Sequence, residues 1–107
     1  MQQTKQTLSA SRRRLIEAMQ KLNYGQILDL TIRGGDPVFD PPPRVLRDIK
    51  IGGENGPRLE IAKRDFVLRR EVIELLTHLD RLGDGLVCRI DVQRGLPFKV
   101  TIQEVIA

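Results

Sequence analysis

The chain has 107 residues, 40% of them hydrophobic and 30% charged, with a net charge of +4. That is enough length for one domain with a real core, and the balance excludes a disordered chain. The longest uninterrupted apolar runs, such as Leu86-Val87-Cys88, are three residues, too short for any helix to span a bilayer. No apolar h-region follows Met1, and the single cysteine cannot form an internal disulfide, so the expected location is the cytoplasm, with no membrane partner.

Residues 1–8 are Gln- and Thr-rich and read as a tail. A first helix is expected to start near Ser9 or Ser11, whose hydroxyls can cap it. Leu15, Ile16, Met19 and Leu22 form its apolar stripe, and Gly25 is placed as its left-handed cap. A strand follows in which Leu28, Leu30 and Ile32 face one side, and Asp29, Thr31 and Arg33 the other. Gly34-Gly35 suits a primed hairpin turn into Pro37-Val38.

Asp40-Pro41-Pro42-Pro43-Arg44 then ends the hairpin as a stiff polyproline segment. Val45, Ile49 and Ile51 predict a third strand. Leu59 and Ile61 predict a short partner for it, beyond the loop Gly52 to Pro57 with its Asn55-Gly56 turn. The second helix opens at Asp65, with the stripe Leu68, Val72, Leu75, Leu79 and Leu82, with Ile73 and Leu76 alongside, and Gly83 stops it. In the next strand Leu86, Cys88, Ile90 and Val92 face inward. Arg94-Gly95 turns the chain, and Phe98, Val100 and Ile102 face inward on the way back.

The second helix and hairpin repeat the first at a spacing of 60 positions. Gly25, Ile27, Leu28, Leu30, Ile32, Gly35, Pro37 and Val38 match Gly85, Val87, Cys88, Ile90, Val92, Gly95, Pro97 and Phe98. Strands with one covered and one wet face imply an antiparallel sheet with helices on a single side.

The positive charge is uneven. Lys5, Arg12, Arg13 and Arg14 are the only charged side chains among the first 14 residues, and the remaining 14 basic side chains are balanced by 14 acidic ones. A second excess gathers Arg58, Lys63, Arg64, Arg69 and Arg70 around Glu60 and Asp65. If both helices lie side by side, Arg12, Arg13, Arg14, Lys63, Arg64, Arg69 and Arg70 could form a stripe for phosphates, with no base reading. Only 4% of residues are aromatic, which leaves little for stacking on single strands.

Enzyme chemistry has little to build on. Glu71, Glu74 and His78 share a helical face, but no further histidine or thiolate cluster completes a metal site. Cys88, in an inward register and without an evident base, is expected to be a core residue and a poor nucleophile. The Gly52 to Pro57 loop lacks the ending of a P-loop, and Asp36 and Asp40 read as turn formers.

The string Leu22-Asn23-Tyr24-Gly25-Gln26-Ile27-Leu28-Asp29-Leu30-Thr31-Ile32, with its glycine turn and Pro37-Val38, resembles the short bacterial YezD-like proteins. The resemblance covers about a quarter of the chain, or half with the second copy, where Leu82-Gly83-Asp84-Gly85 lacks the aromatic. It implies a helix–strand–strand unit that pairs with another copy to complete its sheet, and it implies no activity.

The expected fold is therefore α+β, a single domain of two pseudo-repeated αββ units over residues 9–39 and 64–105. A Pro/Gly-rich connection with short strands, residues 40–63, joins them, and the hairpins form either one sheet or two. The expected function is a small non-enzymatic interaction module that self-associates, as a homodimer or with another protein, through a sheet edge or the second helix, without cofactors. Sequence-independent phosphate-backbone binding by the basic clusters is the alternative.

Overall fold

A computed structural model of the chain describes residues 8–52 and 69–104. It is an α+β structure in which two helices cover one side of a five-stranded antiparallel sheet. The predicted strand at Leu59 and Ile61, the Asn55-Gly56 turn, and Lys63, Arg64, Asp65 and Leu68 lie outside the described residues.

Helix α1 spans Ala10–Leu22. Of the two candidate caps, Ser9 is the one used: its Oγ accepts the Arg12 N–H at 3.2 Å, satisfying a donor that the first turn leaves unpaired. Leu15, Ile16, Met19 and Leu22 are all buried. The left-handed residue that ends the helix is Asn23, not Gly25. Asn23 has φ 64° and its N–H donates to Met19 O at 3.0 Å. Asparagine tolerates this region better than other side-chain-bearing residues.

Helix α2 spans Arg70–Leu82, five residues later than a start at Asp65 requires. Arg69 sits at the cap position with no side-chain hydrogen bond to the first turn, and Gly83 (φ 68°) closes the other end through Leu79 O. Val72, Leu75, Leu76 and Leu79 are buried, whereas Ile73 is exposed.

Strands β1 (Gly25–Arg33) and β2 (Asp36–Val38) form the first hairpin, and β4 (Gly85–Gln93) and β5 (Leu96–Ile102) the second. Both turns use two consecutive positive φ angles: 58° and 79° at Gly34 and Gly35, and 55° and 74° at Arg94 and Gly95. Strand β3 is Arg44–Arg47, shorter than the predicted span to Ile51, and it belongs to the same sheet. β2 lies along the end of β1 and β3 along its beginning, so together they occupy one flank. The sheet order is β2-β1-β4-β5, with β3 beside β1.

The hairpins join through β1 and β4, so there is one sheet. Gly25 pairs with Val92, Ile27 with Ile90, Leu30 with Val87 and Ile32 with Gly85. Shifting by 60 residues maps each such pair onto another: Ala10–Leu22 falls on Arg70–Leu82 and Gly25–Arg33 on Gly85–Gln93. Hairpin contacts obey the same exchange. Gly35 N–H donates to Gly83 O at 2.8 Å, and Gly95 N–H donates to Asn23 O at 2.9 Å.

Inward residues depart from simple alternation. Ile27, Leu30 and Ile32 are buried on β1, and Val87, Ile90 and Val92 on β4, with Leu28, Leu86 and Cys88 only half-buried. Asp29 takes φ 60°, which inserts a three-residue step between Ile27 and Leu30. Opposite it, Val87 to Ile90 makes the same step, and β4–β5 pairing shifts between Val87 and Arg89. Cys88 is thereby moved off the core face expected for it. Phe98 is displaced similarly. Pro97 pairs with Val92 and Lys99 with Asp91, leaving Phe98 as an extra residue at a bulge, 57% exposed. Pro97 is buried instead, with Val100 and Ile102 half-buried behind it.

Candidate interaction surface

Arg12 is part of the internal framework. Its side chain is only 15% exposed, with Nε donating to Asp36 Oδ1 at 3.0 Å and Nη2 to Gly35 O at 2.8 Å. Nη2 also pairs with Asp80 Oδ1, so the first turn of α1 grips both the β1–β2 turn and the last turn of α2. Asp36 additionally accepts the Ser9 hydroxyl, which makes it a framework partner rather than half of an acid/base pair. Arg13 is half-buried, and the exposed Arg14 places its guanidinium carbon 4.4 Å from the centroid of the Phe39 ring.

Among the described residues of the predicted phosphate stripe, Arg12 to Arg14 and Arg69 and Arg70 lie apart, while Lys63 and Arg64 lie outside the described residues. The Arg12–Asp80 pair sets the start of α1 against the end of α2. Arg69 and Glu71, at the start of α2, share a depression with Arg94 of the β4–β5 turn, next to the end of α1. The helices are thus antiparallel, and Arg12 to Arg14 are separated from Arg69 and Arg70 by about the length of α1, roughly 20 Å.

The two outer flanks of the sheet differ. The β2/β3 flank is interrupted after three residues, carries Pro41, Pro42 and Pro43 between its halves, and resumes in a four-residue strand bounded by Arg44 and Arg47. Short strands, proline and charge all discourage another chain from pairing there. Strand β5 spans seven residues, with Pro97 and the Phe98 bulge near its start, and among the described residues only β4 pairs with it. Gln103 N–H donates to Leu86 O on the β4 side at 3.0 Å, so strand alternation turns the N–H groups of Ile102 and Val100 toward the open side.

Beside that edge runs a groove of about 260 Å³ between α2 and β5. It is lined by Glu71, Glu74, Leu75 and His78 from the helix and by Pro97, Phe98, Lys99 and Val100 from the strand. Glu71, Glu74 and His78 do share a face, as expected, but among the described residues no group of three histidine, cysteine or acidic side chains could hold a metal ion. Sequence reasoning placed Phe98 in the core and so missed the groove, because the bulge that expels it has no signature in the residue pattern. Asp80 and Asp91 were also missed. Asp91 is 7% exposed, accepts from Gln26 Nε2 at 3.0 Å and has Arg89 Nε at 3.4 Å.

Among the described residues no helix is long and apolar enough to cross a membrane. Comparisons with family models, curated proteins and solved structures give no match to this chain.

Proposed function

We propose that the chain is a small non-enzymatic interaction module that docks an extended strand along β5. The observation that carries this reading is the contrast between the flanks: one is split into strands of three and four residues, the other is a single seven-residue strand whose outer edge is unpaired among the described residues. An open edge offers main-chain hydrogen bonds to an incoming strand, and the adjoining groove offers side-chain contacts that select it. The pseudo-twofold pairing of β1 with β4 supports reading the chain as a fused pair of αββ units, each half completing the other's sheet.

Self-association is the simplest form of such docking, two copies meeting β5 to β5 about a twofold axis. Lys99 stands at the middle of the seven-residue strand, so a symmetric antiparallel pairing places two lysines opposite one another. Like charges directly opposite weaken a ladder, and the homodimer should be weak. Light scattering over a concentration series tests this. The wild-type mass should rise above one chain only at high concentration. Lys99→Thr should lower the midpoint about threefold to tenfold, and Phe98→Lys should keep the chain monomeric. A mass independent of concentration in all three proteins would contradict self-association through β5.

The phosphate-binding alternative would have to work from two separated clusters, with Arg12 already committed to Asp36 and Asp80. Among the described residues no specific geometry favours it.

A further inference from the structure

We infer that the groove between α2 and β5 receives an arginine-bearing extended segment of a partner protein, with the guanidinium against the Phe98 ring and the Glu71 and Glu74 carboxylates. This rests on the reading of β5 as the docking strand and adds the chemistry of the occupant.

The first half of the molecule displays the same contact made internally. There, between α1 and the chain leaving β2, the Arg14 guanidinium lies 4.4 Å from the Phe39 centroid. Shifting by 60 residues places Glu74 where Arg14 stands and Lys99 where Phe39 stands, while Phe98 brings an aromatic ring one position earlier. The second half therefore keeps an exposed ring on the strand and replaces the helix's own cation with a carboxylate. Glu71, one helical turn earlier, lines the same groove, and neither glutamate has an ion pair with a described residue.

Lys99 also lines the groove, but it forms no ion pair with Glu71 or Glu74. An aromatic face, two carboxylates and a strand edge unpaired among the described residues are complementary to a planar cation carried on an extended backbone. Arginine suits the ring better than lysine because its planar, weakly hydrated guanidinium stacks. A second copy presents Phe98, Val100 and Ile102 but no arginine within β5, and so lacks the group the groove would select.

The test uses the full chain, labelled with nitrogen-15 and kept dilute enough to be monomeric. Its probes are two capped ten-residue peptides of alternating threonine and valine, one with a central arginine and the other with norleucine at that position. The arginine peptide should shift the amides of Phe98 to Ile102 and bind about fivefold or more tightly than its twin. Glu71→Gln with Glu74→Gln, or Phe98→Leu, should erase that preference. These side chains line an open groove, and the unchanged spectrum of the core would certify the fold. Equal binding of both peptides at β5 would overturn the arginine inference and leave the docking edge standing. Loss of any β5 response at millimolar peptide would overturn both. Dimerisation of the chain with no response to either peptide would overturn the inference and identify a second copy as the occupant.

Discussion

Arg12 joins three pieces of chain that are distant in sequence: its own helix, the β1–β2 turn and the end of α2. Placing an arginine in the first turn of a helix opposes the helix dipole by a few tenths of a kcal/mol. Pairing with Asp36, Asp80 and Gly35 O outweighs that cost, because the guanidinium is largely out of water while both carboxylates remain partly hydrated. Arg12→Ala should lower stability by about 2 kcal/mol, whereas Arg13→Ala should change it by less than about 0.5 kcal/mol. Urea unfolding of the two variants checks this, and equal losses would remove the framework role of Arg12. The run Arg12-Arg13-Arg14 was visible in the sequence as a local excess of positive charge. Its resolution was not, since it depends on Asp80, 68 positions away in the chain.

At the scale of elements, most of the fold was legible. The helix stripes, the glycine turns and the 60-residue spacing predict α1, α2 and both hairpins, because burial imposes periods that residue types record. What escaped were the irregularities. The positive φ at Asp29 and the bulge at Phe98 change which residues face inward, and neither requires a special residue type. Strand β3 was misjudged in extent because Ile49 and Ile51 continue an apolar pattern past Arg47, where the ladder ends. The reason β3 can approach β1 is Gly25: a Cβ there would lie 2.0 Å from Leu46 O, at a φ of 152°. Gly25→Ala should therefore cost about 1–3 kcal/mol and detach β3 from β1. Its signature would be loss of protection at the Asp48 N–H, which donates to Tyr24 O. Retained protection would contradict that account. The candidate groove follows the same lesson, since its helix residues were grouped correctly from spacing while its strand residue Phe98 was not.

Across the described residues, one antiparallel sheet carries an unequal pair of flanks. Leu15, Ile16, Met19 and Leu30 from one half share a cluster with Leu75, Leu79, Val87 and Ile90 from the other, so neither half encloses an interior alone. The β1–β4 seam should unfold with the molecule as a single unit, while the outer strands open more easily. On the proposed reading, docking uses the difference between the flanks: β2/β3 is split into two short strands, whereas β5 is one seven-residue edge unpaired among the described residues. Hydrogen exchange in dilute, monomeric protein tests this most directly. The amides of β1 and β4 at the seam should share one slow opening process, and the outward N–H groups of Val100 and Ile102 should exchange orders of magnitude faster. Protection of Val100 and Ile102 equal to that of the seam would mean the edge is already covered, and would contradict the account.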